Sequence, residues 1–276
     1  MSLRFASLNS GSNGNCYYIE NDNDALLVDA GLICKETERR LRSLNRSMHQ
    51  VKAILITHEH IDHVRGLDLL ARKYDIPVYI NRPTYEQLRI SEKLQNIHWL
   101  DDVQELNIGS LVVYPFAKHH DAAMPVSFRV KCGNISVGVF TDIGTVCENL
   151  THHFSHCHAA FLESNYDVEM LMNGSYPYYL KQRIHGDKGH LSNDQAMELF
   201  LKHRPSYMRH LLLSHLSKEN NSPELALQFF NQQNTGVHVS VASRYQPSEL
   251  YSLFETEQKK TAPTISVQLN LFQNGG

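Results

Sequence analysis

Short apolar runs, separated by polar turns rich in Gly, Asn and Asp, recur along most of the chain. Such runs predict β-strands, and those that are continuously apolar predict strands buried on both faces. We therefore predict strands at residues 4–8, 16–20, 25–29, 51–57, 77–80, 111–115, 126–131, 135–141, 159–162 and 211–214.

Apolar residues at helical spacing predict helices between these strands. The predicted helices cover residues 35–44, 64–74 and 83–94, and a further helix runs from Asn193 to His203. Ser192 and Gln195 have the spacing of a capping box at the start of this last helix. Two strand-rich segments, each followed by helices, predict a mixed α/β layered domain.

The composition is that of an ordinary globular domain, with 42% hydrophobic and 20% charged residues among 276. The chain has no Pro/Gly/Ser-rich linker, so we expect one domain at residues 1–256 and a polar tail at 257–276. No apolar run approaches the roughly 20 residues that a membrane helix requires. The first residues also lack an apolar signal core, so we expect a cytoplasmic protein that does not bind a membrane.

The net charge and the cysteine spacing limit the expected binding partners and the expected disulfide content. The net charge of -3 provides no overall attraction for nucleic acid, so any such binding requires a local basic face or a metal-centred cleft. The five cysteines are widely spaced, without a CxxC pair. This spacing indicates reduced thiols rather than a disulfide framework or a zinc ribbon.

The strongest chemical signal follows the apolar run 53–56. His58, His60, Asp62 and His63 lie within six positions at the end of this predicted strand. Imidazole and carboxylate groups are ligands for zinc, manganese or iron, and two metals need more ligands than one loop supplies. The rest of the chain must provide them.

This loop resembles the HxHxDH signature of the metallo-β-lactamase superfamily. Other segments resemble its YycJ-like branch, which is regarded as a group of exonucleases: SGSNGNC (10–16), HDA (120–122), TDIG (141–144), ESNYD (163–167), GHLS (189–192) and SHLSKEN (214–220). The resemblance implies an αββα sandwich, in which helices flank two mixed β-sheets and the site lies at the rim between the sheets.

The resemblance also implies two divalent metal ions, Zn or Mn, with Fe or Mg as alternatives. The implied ligands are His58, His60 and His120 for one ion and Asp62, His63 and His215 for the other, with Asp142 between them. Asp62 would also accept a proton from the attacking water. His190, just before the helix at 193–203, would contact a phosphate or protonate the leaving oxygen.

Several neighbouring residues have two interpretations. The loop containing Ser10, Ser12 and Asn13 is either a plain turn or a phosphate-binding loop, and the resemblance favours the second. Glu163 and Asn165 either orient ligands, contact substrate or cap a turn. The basic segment Lys181, Arg183, His185 and Lys188 either steers a phosphate backbone or is an ordinary solvated face, and a helix face explains His152, His153, His156 and His158 without a metal.

The tail contains Gln268, Leu269, Leu271 and Phe272 in a sequence that resembles the peptides that bind the bacterial DNA sliding clamp. The alternation of apolar residues from Ile265 to Leu271 equally fits a strand on the protein's own sheet.

The resulting hypothesis is a dinuclear metal-dependent phosphodiesterase, a DNA exonuclease with 5'-to-3' polarity by resemblance. Two alternatives stay open: a hydrolase of a small lactone, thioester or cyclic phosphate, and a metal-binding regulatory protein without turnover. The sequence leaves DNA against RNA and the oligomeric state undecided.

Overall fold

The structure is a computed structural model that describes residues 1–90, 94–233 and 235–255. Two seven-stranded mixed sheets form its centre. The first has the order β14-β1-β2-β3-β4-β5-β6, with β1 Ser2–Asn9, β2 Cys16–Glu20, β3 Ala25–Val28, β4 Val51–Leu55, β5 Val78–Ile80, β6 Ile97–Trp99 and β14 Tyr251–Phe254. The second has the order β13-β12-β11-β10-β9-β8-β7, with β7 Leu106–Ile108, β8 Leu111–Ala117, β9 Val126–Cys132, β10 Ile135–Phe140, β11 Ala159–Glu163, β12 His210–Ser214 and β13 His238–Val241.

Helices cover the outer face of each sheet. They are α1 Cys34–Ser43, α2 Ile61–Val64, α3 Leu67–Tyr74, α4 Arg82–Glu86, α5 Glu148–Phe154, α6 Val168–Asn173, α7 Tyr178–His185, α8 Asn193–His203 and α9 Pro223–Asn231. The described residues form three apolar clusters, of which one joins the two sheets through residues such as Phe5 and Phe128. The other two join the first sheet to α1 and α3, and the second sheet to α5, α8 and α9. This confirms the predicted αββα sandwich.

Each sheet is antiparallel on one side and parallel on the other. Strands β3, β4, β5 and β6 are parallel in the first sheet, as are β10, β11, β12 and β13 in the second. The carboxyl ends of parallel strands meet at one edge, and Asp29, His58, Asp142, Glu163 and His215 lie at or just beyond such ends. The topology therefore gathers the polar residues at one rim of the sandwich.

The helix predicted at 64–74 is interrupted. The chain forms the short helix α2, passes through Arg65 and Gly66, and starts α3 at Leu67. The Gly66 amide donates to Ala30 O at 2.8 Å, and a Cβ there would lie 1.9 Å from Leu32 O. The break thus arises because the segment must approach the loop after β3 at backbone distance.

The helix predicted at 83–94 is also shorter than expected. It ends as α4 at Glu86, and the amides of Gln87 and Leu88 bond three residues back, to Thr84 O and Tyr85 O. Such bonds tighten and terminate a helix. Residues 91–93 lie outside the described ranges.

The last described strand, β14, returns the chain to its beginning by pairing with β1, with Phe254 opposite Ser2. The predicted domain end at residue 256 and the tail at 257–276 lie beyond the described residues and stay predictions. Within the described ranges, no helix has the length and apolar character needed to cross a membrane. All five cysteines carry free thiols.

Candidate metal centre

The loop after β4 delivers the first group of site residues. Residues 56 and 57 continue the strand to His58, which is fully buried, and α2 begins at Ile61 with His60 at its N-cap. His63 is also fully buried, whereas His60 and Asp62 are half-buried. The turn between strand and helix therefore directs these side chains into the space between the two sheets.

Two sets of predicted ligands come together in this space. His58, His60 and His120 form one set, in which His58 Nε2 and His60 Nδ1 are 3.1 Å apart. Asp62, His63 and His215 form the other, with Asp62 Oδ2 at 3.6 Å from Nε2 of each histidine. In each set the candidate ligand atoms lie within 4.8 Å of one another.

Asp142 lies between these sets. Its Oδ2 is 3.2 Å from His63 Nε2, and its Oδ1 is 3.7 Å from His120 Nε2 and 3.2 Å from His215 Nδ1. The structure thus brings together all seven predicted ligands, which come from both sheets.

The hydrogen bonding within this cluster is incomplete in a way that fits metal ions. Among the described residues, the buried atom His120 Nε2 has no hydrogen-bond partner, and the buried Asp142 Oδ2 makes only the ion-pair contact with His63 Nε2 at 3.2 Å. Leaving such an atom unsatisfied costs about 1–3 kcal/mol. A divalent cation ligated by imidazole nitrogens and carboxylate oxygens removes that cost, and this donor set suits zinc, manganese or iron. The fold and this cluster imply divalent metals.

Asp29 holds the loop in place. Its Oδ2 accepts from His63 Nδ1 at 2.7 Å, and its carboxylate accepts from the Thr57 amide at 2.9 Å and from the Thr57 hydroxyl. The Thr57 hydroxyl also contacts His58 Nδ1 at 2.9 Å. Because these bonds use the Nδ1 atoms, Nε2 of both histidines faces the centre.

Glu163 supports the opposite side and is fully buried. Its Oε1 accepts from His190 Nδ1 at 2.8 Å and from His215 Nδ1 at 3.0 Å, and its Oε2 accepts from the amides of Ile143 and Leu191. Burial alone would raise the pKa of Glu163. The imidazoles of His190 and His215 outweigh this effect and lower the pKa to about 2. Of the roles considered from sequence, these contacts favour ligand orientation.

Negative charge dominates the electrostatics of the centre. Burial alone would lower the pKa of His215, but Asp142, Asp62 and Glu163 raise it to about 10. Burial would raise the pKa of Asp142, and the imidazoles of His215 and His63 hold it well below its usual range. The carboxylates thus favour a positive charge beside His215, whereas burial lowers the pKa of His58 and lowers that of His120 to about 4, which favours the neutral imidazoles that ligate metal ions.

Three residues of the centre have strained backbone conformations. Asp29, Asp142 and His215 have φ angles of 62°, 56° and 56°, a left-handed conformation that residues other than glycine adopt at a cost. Each follows a strand and turns its side chain sharply into the rim. Strain of this kind persists where the surrounding structure holds a functional geometry.

His190 lies at the opening of the centre. Its ring centroid is 5.2 Å from that of His120 and 5.2 Å from that of His215, and its side chain is 21% exposed. The predicted capping box at Ser192 and Gln195 is present and starts α8 just behind it. With Nδ1 bound to Glu163, His190 Nε2 is directed toward the opening.

The loop at residues 9–15 divides into buried and exposed parts. Ser10 is 2% exposed, and its hydroxyl accepts from the His215 amide at 2.7 Å. Ser12 and Asn13 are exposed, and the Asn13 carbonyl accepts from Arg65 at 3.0 Å. Of these three predicted substrate residues, Ser12 and Asn13 are accessible, whereas Ser10 has the contacts of a residue that positions His215.

Asn165, also predicted to bind substrate, has a similar position. It is 7% exposed, and its Nδ2 donates to His215 O at 2.7 Å. This bond fixes the backbone of a candidate ligand. The contacts of Asn165 therefore indicate a positioning residue.

Sequence reasoning did not single out Asn15. It is fully buried, and its Nδ2 lies 3.2 Å from Asp62 Oδ2 and 3.0 Å from His63 Nε2. The backbone N–H of Asn15 donates to Asp62 O at 2.6 Å. Gly31 leaves room for this contact, because a Cβ there would lie 1.7 Å from the same carbonyl oxygen. The signal for Asn15 was its place in the SGSNGNC segment, but its contact with Asp62 joins distant parts of the chain.

The histidines assigned to a helix face stay outside the centre. His152 and His153 are on α5, where His153 stacks on Phe116 at 4.1 Å between ring centroids, but the helix ends at Phe154, so the helix-face prediction is wrong for His156 and His158. In the described part of the chain, the residue groups able to hold a metal do not include His152, His153, His156 or His158.

Comparison with known proteins places this geometry in a family. A sequence profile of the β-lactamase superfamily domain matches residues 25–216. The chain is 38% identical over 237 residues to exodeoxyribonuclease YycJ of Bacillus anthracis, covering 84% of this chain and 89% of that protein. It is 37% identical over 229 residues to exodeoxyribonuclease WalJ of Streptococcus pneumoniae, covering 81% of this chain and 85% of that protein.

The fold is likewise similar to solved structures of this kind. The metallo-β-lactamase fold protein YhfI of Bacillus subtilis superimposes with a TM-score of 0.70 at 14% identity, covering 91% of this chain and 98% of that chain. The profile match spans most of the chain, and the two curated relatives exceed 30% identity over nearly their full length. The chain therefore belongs to the metallo-β-lactamase superfamily, in the branch that contains YycJ and WalJ.

Proposed function

We propose that this protein is a dinuclear metal-dependent exodeoxyribonuclease. The observation that carries the proposal is the meeting of seven ligand-type side chains, Asp142 among them, in a chain 38% identical to an exodeoxyribonuclease over 84% of its length. Its relatives imply a nucleic-acid substrate. DNA as the specific substrate and 5'-to-3' polarity are part of the proposal.

Each set of ligands would hold one divalent ion, Zn or Mn, with Asp142 shared. When bound, two such ions activate a water molecule and stabilise the charge that develops on both oxygens of an in-line displacement at phosphorus. His58, His60 and His120 would hold one ion, and Asp62, His63 and His215 the other.

Asp62 would have a second role as acceptor of the proton from the attacking water. Its side chain is 17% exposed, which makes Asp62 the most accessible carboxylate of the ligand cluster. Asn15 Nδ2, at 3.2 Å from Oδ2, fixes the orientation of this carboxylate. A proton acceptor held in one orientation next to the reacting water is what general base catalysis requires.

His190 would donate a proton to the leaving oxygen of the cleaved phosphodiester. Its Nδ1 is bound to Glu163, so Nε2 is the atom available at the opening. Ser12 and Asn13 are exposed and would contact the phosphate backbone, with the Arg65 guanidinium bound to Asn13 O and the Arg244 guanidinium beside Gly11. A local basic rim of this kind supplies the attraction that a net charge of -3 does not.

Cleavage of labelled nucleic acids tests this function. The full-length protein, loaded with Zn or Mn and with its metal content measured, is incubated with 5'- or 3'-labelled single-stranded and double-stranded DNA and RNA. We expect stepwise shortening of DNA from the 5' end. Hydrolysis of small lactones, thioesters or cyclic phosphates without cleavage of nucleic acid would contradict the proposal, and binding without turnover in any metal would indicate a regulatory protein.

We further propose that Gln268, Leu269, Leu271 and Phe272 bind the DNA sliding clamp. These residues lie outside the described ranges, and the proposal rests on their sequence alone. Deletion of residues 265–276 should abolish binding to the purified clamp and leave the rate of DNA cleavage unchanged, as measured by surface plasmon resonance and a nuclease assay. A full-length protein with no measurable clamp affinity would end the proposal.

A further inference from the structure

Helix α7, whose C-terminal end contacts the segment of His190, presents two neighbouring tyrosines to solvent. Tyr178 is 72% exposed and Tyr179 is 73% exposed. Every residue of α7 lies in the described part of the chain, and none of them is buried. The tyrosine rings therefore contribute nothing to the core, and the adjoining α6 adds the exposed side chains of Met170 and Met172.

The far end of α7 is fastened to the centre. His190 donates its amide to Ile184 O at 2.9 Å, and the Tyr166 hydroxyl contacts His185 Nδ1 at 2.8 Å. The Asp121 amide, next to the candidate ligand His120, donates to Lys188 O at 3.1 Å. Because α7 rises about 1.5 Å per residue, its tyrosines lie roughly 10 Å along the axis from His185.

One face of α7 is turned toward the rim. Tyr179 and Arg183 are four residues apart and share that face. Arg183 Nε donates to Asp121 Oδ2 at 2.6 Å, which places the face beside the loop that carries His120. Gln182 Nε2 donates to the Tyr178 hydroxyl at 2.7 Å, so the Tyr178 ring lies along the neighbouring face of the helix, about 100° around the axis from Tyr179.

The charge of this segment differs from that of the whole chain. Residues 175–190 contain three basic residues, Lys181, Arg183 and Lys188, and one acidic residue, Asp187, which gives a formal charge of +2 in a chain of -3. Arg183 is paired with Asp121, which reduces the local formal charge from +2 to +1, and Lys181 donates to Met172 O, whereas Lys188 is exposed. The segment thus combines exposed aromatic rings with local positive charge.

We propose that α7 is a binding surface for single-stranded DNA, on which Tyr178 and Tyr179 stack against bases while Lys188 approaches the phosphates. The inference rests on the proposed nuclease function and specifies its substrate class. Stacking requires bases whose faces are exposed, so an unpaired strand fits and an intact duplex does not. Since every base has an aromatic face, this surface binds without sequence preference.

Binding and cleavage are measured separately to test it. Fluorescence anisotropy gives the Kd of the metal-loaded, full-length protein for a labelled single-stranded oligonucleotide whose phosphorothioate linkages resist cleavage. Nuclease assays with Mn²⁺ give kcat and KM, and hydrolysis of bis(p-nitrophenyl) phosphate reports on the centre alone. The variants are Tyr178→Ala, Tyr179→Ala, their double variant, and Tyr178→Phe/Tyr179→Phe. Phe254→Ala is the matched control, because Phe254 is 71% exposed at the opposite end of the sandwich.

Stacking is worth about 1–3 kcal/mol per base, so each alanine variant should raise Kd and KM by about tenfold, and the double variant by about 100-fold. The phenylalanine variant and Phe254→Ala should stay within about twofold of wild type, and hydrolysis of bis(p-nitrophenyl) phosphate should not change in any variant.

Three outcomes would overturn the proposal. One is an unchanged Kd and KM in the double alanine variant of a protein that does degrade DNA. Another is an equal loss on bis(p-nitrophenyl) phosphate, which would assign the effect to the centre. The third is a dimer that dissociates in the double alanine variant, which would show that a second copy covers the tyrosines. Failure of the wild-type protein to cleave any DNA, in contrast, refutes the proposed function itself.

Discussion

Asp62→Ala should reduce kcat for DNA cleavage by at least about 1,000-fold and lower the content of bound metal. The substitution removes both a candidate ligand, whose Oδ2 lies 3.6 Å from Nε2 of His63 and of His215, and the proposed proton acceptor. Loss of a positioned acid or base alone costs about 10²–10⁴-fold in rate. Activity is measured on end-labelled DNA under single-turnover conditions, and metal content by inductively coupled plasma mass spectrometry.

Two companion variants make this result interpretable. Asn15→Ala leaves the Asp62 carboxylate in place and removes only the amide that contacts it, so the expected loss is about 10- to 100-fold. Asp101→Asn, at a distant loop where the carboxylate contacts the Arg82 amide, should leave activity unchanged. Cleavage by Asp62→Ala at more than about a tenth of the wild-type rate would refute the proposed mechanism.

Three of the candidate ligands follow a regular rule, although it was the resemblance to the metallo-β-lactamase superfamily that distinguished them from other residues at strand ends. His58, Asp142 and His215 each come shortly after a continuously apolar strand, and the carboxyl ends of parallel strands share one edge. Apolar runs of this kind can be recognised in a sequence, because a strand that is buried on both faces consists of unbroken apolar residues. The sequence therefore predicts which end of the sandwich carries the candidate metal ligands.

The residues that position the ligands were only partly predictable: ligand orientation was one of the roles considered for Glu163, whereas the sequence did not indicate that role for Asp29. Asp29 contacts His63 across 34 positions, and Glu163 contacts His215 across 52. In sequence each is an ordinary acidic residue at a strand end. Their roles depend on the register between neighbouring parallel strands, which places Val28 opposite Leu55 and Glu163 opposite Ser214.

The errors in the predicted elements have a similar origin. The break before α3 is caused by the contact between Gly66 and the loop after β3, which local periodicity does not register. The strands β6 and β7 have three residues each, too few for an alternating pattern to emerge. In both cases tertiary contacts override or complete what the local sequence specifies.

His190→Ala should reduce the rate of DNA cleavage by about 10²–10³-fold while both metals stay bound. The His190 side chain is 21% exposed, and its Nδ1 donates one of the hydrogen bonds that Glu163 accepts. After the substitution, Glu163 still accepts from His215 and from two backbone amides. The substitution therefore leaves the seven candidate ligands supported. The matched control is His203→Ala at the opposite end of α8, which should cleave DNA at the wild-type rate.

The choice of leaving group separates proton donation from a structural role for His190. A DNA strand leaves as an alkoxide, which needs a proton in the transition state, whereas p-nitrophenolate is stable without one. If His190 is the proton donor, His190→Ala should hydrolyse bis(p-nitrophenyl) phosphate within about fivefold of the wild-type rate despite its large loss on DNA. Equal losses on the two substrates would show instead that His190 shapes the centre or binds the phosphate, and the role of general acid would then pass to another group at the opening.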